Sequence, residues 1–404
     1  MSALLQDLRH ALRGIRKSPG FSAVAIAILA LGIGAATTIY SLVDTLYLKP
    51  LPVPEPSRLV EVYQARNGNE FFNLSFPDYL FYREHSRSFS DLAAHYSHAP
   101  INLMTAEASR EINGSVATAS YFQVLGLKPR LGRFFLPEED RVPGRDAVAV
   151  ISSGLWEREF GGDPKVLGRT IRLNATPFTV VGVAPPDFHG VPLGGLSTDV
   201  WIPSAMFHVG YRYCDAFHRG CSVVTMIGRL APGRSVAEAR RELDLEARQL
   251  ENAYPDTNRG RRLLVISARG VDPEYRREIG ILAPLLLGLC ALVLAAACAN
   301  LAALLLARAS ARRREIAIRT AIGASRGRLI RQLLTESLVL SLAGGVLGVL
   351  FAFWAKDLVA AFYAADSEGR TAYFGLSLDS TVLVLAAATT VLTGVLFGLV
   401  PALH

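Results

Sequence analysis

Four long stretches without a charged residue constrain the fold of this 404-residue chain more than any other feature. They cover residues 18–43, 279–307, 337–355 and 380–403. A helix needs about 20 apolar residues to cross the hydrocarbon core of a bilayer, and each stretch is close to that length. A charge at the centre of the bilayer costs roughly 3 kcal/mol, so four uncharged stretches favour membrane spans over the buried helices of a soluble protein. We therefore predict four transmembrane helices.

The distribution of basic residues predicts the orientation of these helices. Residues 1–20 and 307–336 hold twelve basic and three acidic residues, whereas residues 49–278 hold 28 basic and 27 acidic residues. Because positively charged loops stay in the cytoplasm, the N-terminus and the loop after the second span are expected inside. The 49–278 insertion and the last hairpin are then outside. The net charge of +7 follows from this topology and does not indicate nucleic-acid binding.

These observations divide the chain into eight segments of alternating character. The four predicted transmembrane helices span residues 21–48, 279–307, 335–356 and 380–403. The segments between and before them are a cytoplasmic amphipathic N-terminal helix, a large outer domain, a cytoplasmic connector and an outer hairpin, at residues 1–20, 49–278, 308–334 and 357–379. Within the outer domain, strand-like and helix-like patterns alternate, which predicts a mixed α/β domain. We expect it to form two lobes, with the middle one near residues 137–203.

Two cysteines lie close together in the outer domain. Cys214 and Cys221 flank the segment CDAFHRGC. Because thiols outside the inner membrane meet an oxidising environment, we expect a disulfide that closes this short loop. A metal site that includes His208 or His218 is the alternative, but the spacing matches no established ligand pattern, and no metal is predicted.

Small residues recur inside three of the predicted spans. Glycine lets helix backbones approach closely in lipid, where packing rather than hydrophobicity holds helices together. Contacts of this kind are expected within one chain or between two. The glycines concerned are Gly32, Gly34, Gly344, Gly348, Gly394 and Gly398.

The sequence argues against enzymatic activity in this chain. The phosphate-binding pattern G-x-x-x-x-G-K-[ST] is absent, so ATP hydrolysis by that route would require another polypeptide. Gly323 to Gly327 fit the G-x-S-x-G nucleophile pattern, but they lie in an arginine-rich loop without a preceding strand. The uncharged stretches of the spans also offer no internal Asp, Glu, Lys or Arg, which proton- and ion-coupled transporters usually place there. Energy for any mechanical work is therefore expected from a partner.

The arginine-rich connector between the second and third spans offers two interpretations. Residues 312–334 read RRREIAIRTAIGASRGRLIRQLL, in which apolar residues alternate with charges at helical spacing. A short helix of this type can dock in the groove of a partner protein. It can equally be a basic loop that enforces topology and touches anionic lipid. Spacing alone leaves both interpretations open.

The connector and the outer domain together resemble a known superfamily. The stretch RREIAIRTAIGASRGRLIRQLLTES is similar to the cytoplasmic coupling region of FtsX-like permeases. The segments LGRFFLPEED and DAVAVISSGLWEREFGGDPKVLGRTIRLNATPFTVVGVAPPDF resemble the MacB-type periplasmic core. The stretch LLQDLRHALRGIRKSPGFSAVAIAILALGIGAATTIYSLVDTLYLKPLP looks like the N-terminal half of the duplicated orphan permeases, a subgroup of this superfamily.

The resemblance implies a fold, partners and a contact site. It implies four spans per half, a two-lobed α/β outer domain, and pairing with a cytoplasmic ATP-binding-cassette ATPase. The ATPase would bind ATP and magnesium, and this chain would bind no cofactor itself. A second permease half or a second copy, and the lipid of the inner membrane, are further implied partners. The residues matched to the ATPase-facing contact are Arg314, Glu315, Ile316, Arg319, Gly323 and Ala324.

The expected function is therefore that of a multi-pass permease subunit of the inner membrane with a cytoplasmic N-terminus. It would couple ATP hydrolysis by the partner to movements of the outer domain, for export or mechanotransmission. Only about 20 residues precede the first span, whereas the MacB exporter carries its ATPase there. A fragment of a duplicated permease, a truncated gene product and a half-size unit that dimerises all stay open. A signalling or scaffold protein that regulates an envelope enzyme is the alternative function.

Overall fold

The computed structural model describes most of the chain. The described residues are 18–44, 51–66, 69–104, 109–191, 197–269, 273–311, 326–366 and 380–403, with positions 9, 13 and 16. They form two compact units, which are considered separately below. One is a helical unit drawn from both ends of the chain, and the other is an inserted domain over Lys49–Arg277. Most of the predicted N-terminal amphipathic helix lies outside the described residues.

The helices and strands are numbered here in chain order. The α-helices are α1 Pro19–Val43, α2 Phe76–His85, α3 Tyr121–Val124, α4 Ser153–Phe160, α5 Phe207–Gly210, α6 Val236–Ala253, α7 Pro255–Asn258, α8 Pro273–Ala311, α9 Arg326–Asp366 and α10 Ser380–Leu403. The strands are β1 Leu59–Arg66, β2 Asn69–Phe72, β3 Leu74–Ser75, β4 Phe89–Met104, β5 Ser109–Ala117, β6 Leu131–Gly132, β7 Val148–Ile151, β8 Thr170–Leu173, β9 Thr176–Val183, β10 Val200–Pro203, β11 Ser222–Leu230 and β12 Arg262–Ser267.

The helical unit consists of α1, α8, α9 and α10. Within the described residues, Pro19–Ser41 and Leu334–Ala355 are apolar and long enough to cross a membrane, and α8 and α10 contain the shorter apolar stretches Gly280–Ala296 and Ser380–Leu396. Proline at the start of α1 supplies a helical φ angle at a position where no backbone N–H is needed. The apolar helices and the mixed insertion confirm the predicted class of membrane protein.

The inserted domain is built on one twelve-stranded mixed sheet. Its main strand order is β12-β1-β11-β4-β5-β10-β7-β9-β6, with β2, β3 and β8 paired beside this path. The lobe expected near residues 137–203 contains β7 to β10 and α4. Strand β10 joins this lobe to β5 in parallel, with Val200 opposite Gly114. The residues of the expected middle lobe therefore belong to the same sheet as the rest of the domain.

Apolar side chains cover the sheet on both faces. One cluster includes the buried residues Tyr79 of α2, Leu155 of α4 and Leu243 of α6. A second cluster is rich in aromatic rings, among them Phe122 and Trp201. The amphipathic helix α6 starts with a capping box in which Ser235 and Glu238 satisfy each other's backbone N–H groups. The domain therefore has an apolar core on each face of the sheet.

Both connections of the domain to the helical unit leave the sheet at the same place. Strands β1 and β12 are antiparallel neighbours, with Val60 opposite Ser267 and Ala65 opposite Arg262. Strand β1 begins at Leu59, and β12 ends at Ser267. The chain therefore enters and leaves the domain at one end of two adjacent strands.

A buried carboxyl on α6 lies against the end of α2. Glu246 is only 6% exposed, and the hydroxyl of Ser86 donates a hydrogen bond to its Oε2 atom at 2.7 Å. The neighbouring Glu242 accepts hydrogen bonds from the backbone N–H groups of Arg87 and Ser88. Burial, which removes water from the charged form, raises the pKa of Glu246 to about 7, and the negative charge of Glu242 adds to the rise.

The raised pKa of Glu246 predicts a pH-dependent stability. Between the ordinary carboxyl pKa of 4.5 and about 7, the folded domain binds one proton more than the unfolded chain. Its stability should therefore fall as the pH rises from 5 to 8, by about 2 kcal/mol from this group. Chemical unfolding at several pH values measures the loss. Glu246→Gln, which cannot ionise, should remove this component, and an unchanged slope in that variant would contradict the assignment.

Candidate functional site

The proposed ATPase-facing residues cannot be placed. Arg314, Glu315, Ile316, Arg319, Gly323 and Ala324 all fall within residues 312–325, outside the described part of the chain. The helix α9 begins directly after them, at Arg326. Their role as a contact site stays a prediction from resemblance.

Close helix contacts lie at the predicted glycines of the helical unit. A Cβ atom added at Gly34 of α1 would lie 2.9 Å from the carbonyl oxygen of Gly348 of α9. At Gly344, one turn earlier on α9, it would lie 2.6 Å from Cβ of Leu29. No side chain fits at either position, so the backbones of α1 and α9 touch along this line. We call these three glycines the α1–α9 crossing.

The other predicted glycines have looser surroundings. An added Cβ at Gly32 would lie 3.2 Å from Leu294 of α8, and one at Gly394 would lie 3.1 Å from the hydroxyl of Ser341. Both positions contact side-chain atoms rather than backbone. The contacts of Gly398 fall outside the part of the chain for which side-chain surroundings are described.

The structure joins Cys214 and Cys221 in a disulfide, with their Cα atoms 6.0 Å apart. The short loop between them turns back on itself, since the backbone N–H of Cys221 donates to the carbonyl of His218. On this loop, the ring of Phe217 packs edge-on against Phe76 of α2, with centroids 5.3 Å apart. The loop is thereby fixed to the body of the domain.

Arg219 of this loop takes part in a buried charge cluster. Its guanidinium forms an ion pair with Asp78 of α2, whose side chain is completely buried. Nη1 of Arg261 lies 3.3 Å from the other carboxylate oxygen of Asp78. Arg219 also lies over the ring of Tyr254, 3.8 Å from its centroid. Two arginines thus compensate one buried carboxylate, and the cluster ties together α2, the disulfide loop and the start of β12.

A second pair of arginines fixes the chain just before β1. Nη2 of Arg58 donates to the carbonyl of Leu230 at 2.7 Å. Arg229 of β11 donates to the carbonyls of Val124 and Pro54, at 2.7 and 3.0 Å. We call Arg58 and Arg229, with these carbonyls, the tether junction. Its hydrogen bonds hold the segment that leads into the domain against the sheet.

A cleft lined by tyrosines opens on the surface of the inserted domain. Its volume is about 370 Å³. The rings of Tyr96 and Tyr211 lie 5.0 Å apart, and those of Tyr211 and Tyr213 lie 5.4 Å apart. We call this site the tyrosine cleft. Its lining residues are Tyr96, Pro100, Asn174, Val209, Gly210, Tyr211, Arg212 and Tyr213.

Asn174 holds one wall of the tyrosine cleft in place. It occupies the turn between β8 and β9 with a positive φ of 47°, which asparagine tolerates better than most residues. Its Oδ1 accepts the backbone N–H of Asn102 at 2.8 Å, and its Nδ2 donates to the carbonyl of Val209 at 2.9 Å. One side chain therefore connects β4 with α5, which carries the floor of the cleft.

The cleft offers tyrosine rings and one guanidinium as binding groups. Burial raises the pKa of Tyr96, and the neighbouring Tyr211 and Tyr213 add to this rise, so the phenol stays neutral. Within the described residues, no group of three or more His, Cys, Asp or Glu side chains could hold a metal ion. The disulfide also removes Cys214 and Cys221 as thiolate ligands for the alternative metal site with His208 or His218.

Sequence reasoning missed the cleft, the buried charge cluster and the tether junction. A signal for the cleft was available in YRYC, where two tyrosines and an arginine directly precede a predicted disulfide. The partners of Asp78 lie 141 and 183 residues away, so no local pattern points to them.

Two family models match the chain. The MacB-like periplasmic core domain matches residues 22–245, more than half of the chain. The FtsX-like permease C-terminal region matches residues 287–404. The two matches follow each other along the chain and leave residues 246–286 between them.

Curated relatives share about a quarter of their residues with the chain over the aligned region. The macrolide export ATP-binding/permease protein MacB of Chromobacterium violaceum is 26% identical over 309 residues, which cover 74% of this chain and 44% of the relative. MacB of Neisseria gonorrhoeae is 28% identical over 70% of this chain and 40% of the relative. The probable syringafactin export ATP-binding/permease protein SyfD of Pseudomonas syringae pv. tomato is 26% identical over 73% of this chain and 40% of the relative. The chain thus spans less than half the length of these relatives.

Solved structures resemble the inserted domain weakly. The periplasmic region of MacB from Actinobacillus actinomycetemcomitans gives a TM-score of 0.40 at 14% identity, over 59% of this chain and 95% of that one. A domain of a putative permease protein from Porphyromonas gingivalis gives a TM-score of 0.40 at 17% identity, over 55% of this chain and 98% of that one.

Proposed function

Because the chain belongs to the MacB/FtsX-like permeases with a MacB-like periplasmic core domain, we propose that it is the permease subunit of an ATP-binding-cassette system. It couples ATP hydrolysis by a cytoplasmic ATPase to movement of the inserted domain, for export or mechanotransmission. One observation carries this proposal: the match to a MacB-like periplasmic core domain is followed in the same chain by the match to an FtsX-like permease region, and the chain contains apolar helices.

The first step of the mechanism is contact with the ATPase. In this proposal, Arg314, Glu315 and Arg319 form charged contacts with the ATPase, and Ile316 supplies an apolar one. Gly323 and Ala324 are small and let the partner approach the backbone. The ATPase binds ATP and magnesium, and nucleotide-dependent movement of the ATPase displaces the connector. Helix α9, which begins at Arg326, carries the displacement onward.

The second step passes through the helices to the domain. The α1–α9 crossing supports it, because helices in backbone contact cannot shift independently without losing their packing. Strands β1 and β12 support it as well, since both chain connections reach the same end of the same sheet edge. The tether junction makes the segment before β1 move with the sheet. Displacement of the helices would then tilt the domain as a body.

The topology and the partners belong to the same proposal. We place the chain in the inner membrane with a cytoplasmic N-terminus and the inserted domain on the outside. We assign it to the duplicated orphan permeases, so that it pairs with a second permease half or with a second copy. A cysteine placed at the exposed Ser109 should then react with an impermeant label on intact cells, and one at Ser325 only after permeabilisation. The reverse labelling pattern would overturn the topology.

Charge reversal in the connector tests the coupling. The tagged full-length chain is purified in mild detergent from its own cells, and vanadate-sensitive ATP hydrolysis in the preparation is measured. Glu315→Lys and Arg319→Glu should each lower the co-purifying activity at least tenfold, because they turn attractive contacts into repulsive ones. Arg370→Glu changes the charge equally but lies in the outer hairpin, and it should leave the activity unchanged. Equal activity in all four preparations, or none in the unaltered one, would refute the proposed coupling.

A further inference from the structure

The tyrosine cleft has a shape and a chemistry that the permease mechanism does not use. It is concave, lined by three tyrosine rings among its eight residues, and backed by the buried residues Val209 and Gly210. We propose that the cleft binds a small ligand that carries an aromatic ring and a carboxylate. The ring stacks on the exposed ring of Tyr213, and the carboxylate pairs with Arg212.

The size of the cleft limits the ligand. Small-molecule sites typically enclose about 300–1,000 Å³, so the volume of about 370 Å³ is at the small end of that range. With roughly 30 Å³ for each water-sized group, it holds about a dozen non-hydrogen atoms. One or two fused rings with a short acidic side chain fit this volume. A large macrocycle or a folded protein surface does not.

The tyrosine rings determine what lies in the centre of the cleft. Tyr96 and Tyr211 meet at an interplanar angle of 74°, and Tyr211 and Tyr213 meet at 66°. Each successive ring thus turns its edge towards the face of the next, so the three rings pack on one another and Tyr213 at the end of the row offers a ring face to a flat guest. Tyr213 is 89% exposed, so its ring can gain contact area when a guest covers it. A planar aromatic guest matches this arrangement.

The charge of the lining determines what lies at the rim. Arg212 is exposed, and no residue that the structure describes forms an ion pair with it. The lining contains no aspartate or glutamate, so its only formal charge is positive. The planar guanidinium donates two parallel hydrogen bonds to a carboxylate, an arrangement that an ammonium group cannot offer. A cationic ligand would be repelled, although tyrosine rings alone would also attract ammonium groups.

The cleft is held in its shape before any ligand arrives. Asn174 fixes the wall formed by the β8–β9 turn through hydrogen bonds to Asn102 and Val209. The disulfide begins at Cys214, directly after Tyr213, and it limits the movement of the other wall. A preorganised site loses little conformational entropy on binding, so a small ligand can bind measurably.

Indole-3-acetate is the probe for this proposal, because it combines two fused rings with a carboxylate. The full-length chain in lipid nanodiscs is titrated calorimetrically with the probe. We expect saturable binding in the micromolar to submillimolar range. Tryptamine, which keeps the indole ring but carries an ammonium group, should bind at least tenfold more weakly. No saturable binding of indole-3-acetate up to millimolar concentration, or equal binding of tryptamine, would overturn the proposal.

Variants of two exposed residues separate the cleft from other binding positions. Arg212→Gln and Tyr213→Ala should each weaken the probe about tenfold, through loss of a charge-assisted hydrogen bond or of a ring contact. The exposed Arg248 of α6 provides the matched control, and Arg248→Gln should leave the affinity unchanged. Unchanged affinity in both cleft variants would place the probe elsewhere and refute the assignment. None of these measurements requires an ATPase, so the result is independent of the proposed coupling.

Discussion

Replacement of Asp78 by alanine is expected to lower the melting temperature of the inserted domain by roughly 10 °C, because removal of one partner from a buried ion pair costs about 3–5 kcal/mol. The carboxylate is completely buried between Arg219 and Arg261, whose side chains are only 18% and 9% exposed. Without Asp78, two guanidinium groups would face each other in a site that water reaches poorly. Repulsion between them would loosen both the disulfide loop and the start of β12.

Tryptophan fluorescence of the full-length chain during heating measures this effect. Two of the three tryptophans, Trp156 and Trp201, lie in the inserted domain and report its unfolding. Glu157→Gln is the matched control, since it removes a carboxylate whose ion pair with Arg130 is exposed on both sides. Exposed pairs contribute about 1 kcal/mol or less, so this control should shift the melting temperature by only a few degrees. Similar shifts for Asp78→Ala and Glu157→Gln would show that the cluster does not stabilise the domain.

Much of the architecture could be predicted because it is determined by local patterns. The membrane helices follow from long uncharged stretches, since lipid excludes charge regardless of the rest of the fold. Helix α6 follows from its amphipathic period and from Ser235, three residues before Glu238. The turn between β8 and β9 follows from Asn174, a residue type that tolerates positive φ. In each case, the physical cause lies within a few residues of the feature.

The functional surfaces could not be predicted because they are assembled from distant segments. The tyrosine cleft combines β4, the β8–β9 turn and the segment after α5. The tether junction depends on Arg229 reaching Pro54, which lies 175 residues earlier in the chain. The continuity of the sheet depends on parallel pairing between β5 and β10. Parallel strands are not joined by a hairpin, so no local turn pattern predicts this pairing. These contacts arise only when the register of the whole sheet is known.

The glycines of the α1–α9 crossing could be predicted from the sequence, but their contact partners could not. The glycines were predicted as packing positions because small residues allow close approach in lipid. Which glycines would meet could not be predicted, since a helix presents several faces and the partner depends on tertiary packing. The structure brings Gly34 opposite Gly348 and leaves nothing within 4 Å of an added Cβ at Gly288. Identical substitutions at these positions should therefore have different consequences.

Valine at Gly34 is expected to destabilise the helical unit by about 2 kcal/mol, within the range measured for overpacked cores. Its Cβ would need to lie 2.9 Å from both the carbonyl oxygen of Gly348 and a ring carbon of Phe351, so α1 and α9 must move apart. Backbone atoms cannot rotate away as a flexible side chain can. Gly34→Ala should show a smaller effect of the same sign, because alanine brings the Cβ atom without the branches.

Unfolding of the full-length chain in a titration of sodium dodecyl sulfate against a mild detergent measures the loss for Gly34→Val. Gly288→Val is the matched control, because it introduces the same β-branched residue into an apolar helix where the space is open. The difference between the two variants isolates the crossing from the general effect of valine on helix propensity. If both lowered the unfolding midpoint equally, the contact between α1 and α9 would contribute nothing to stability. The second step of the proposed mechanism would then lose its support, because helices that pack loosely can shift independently.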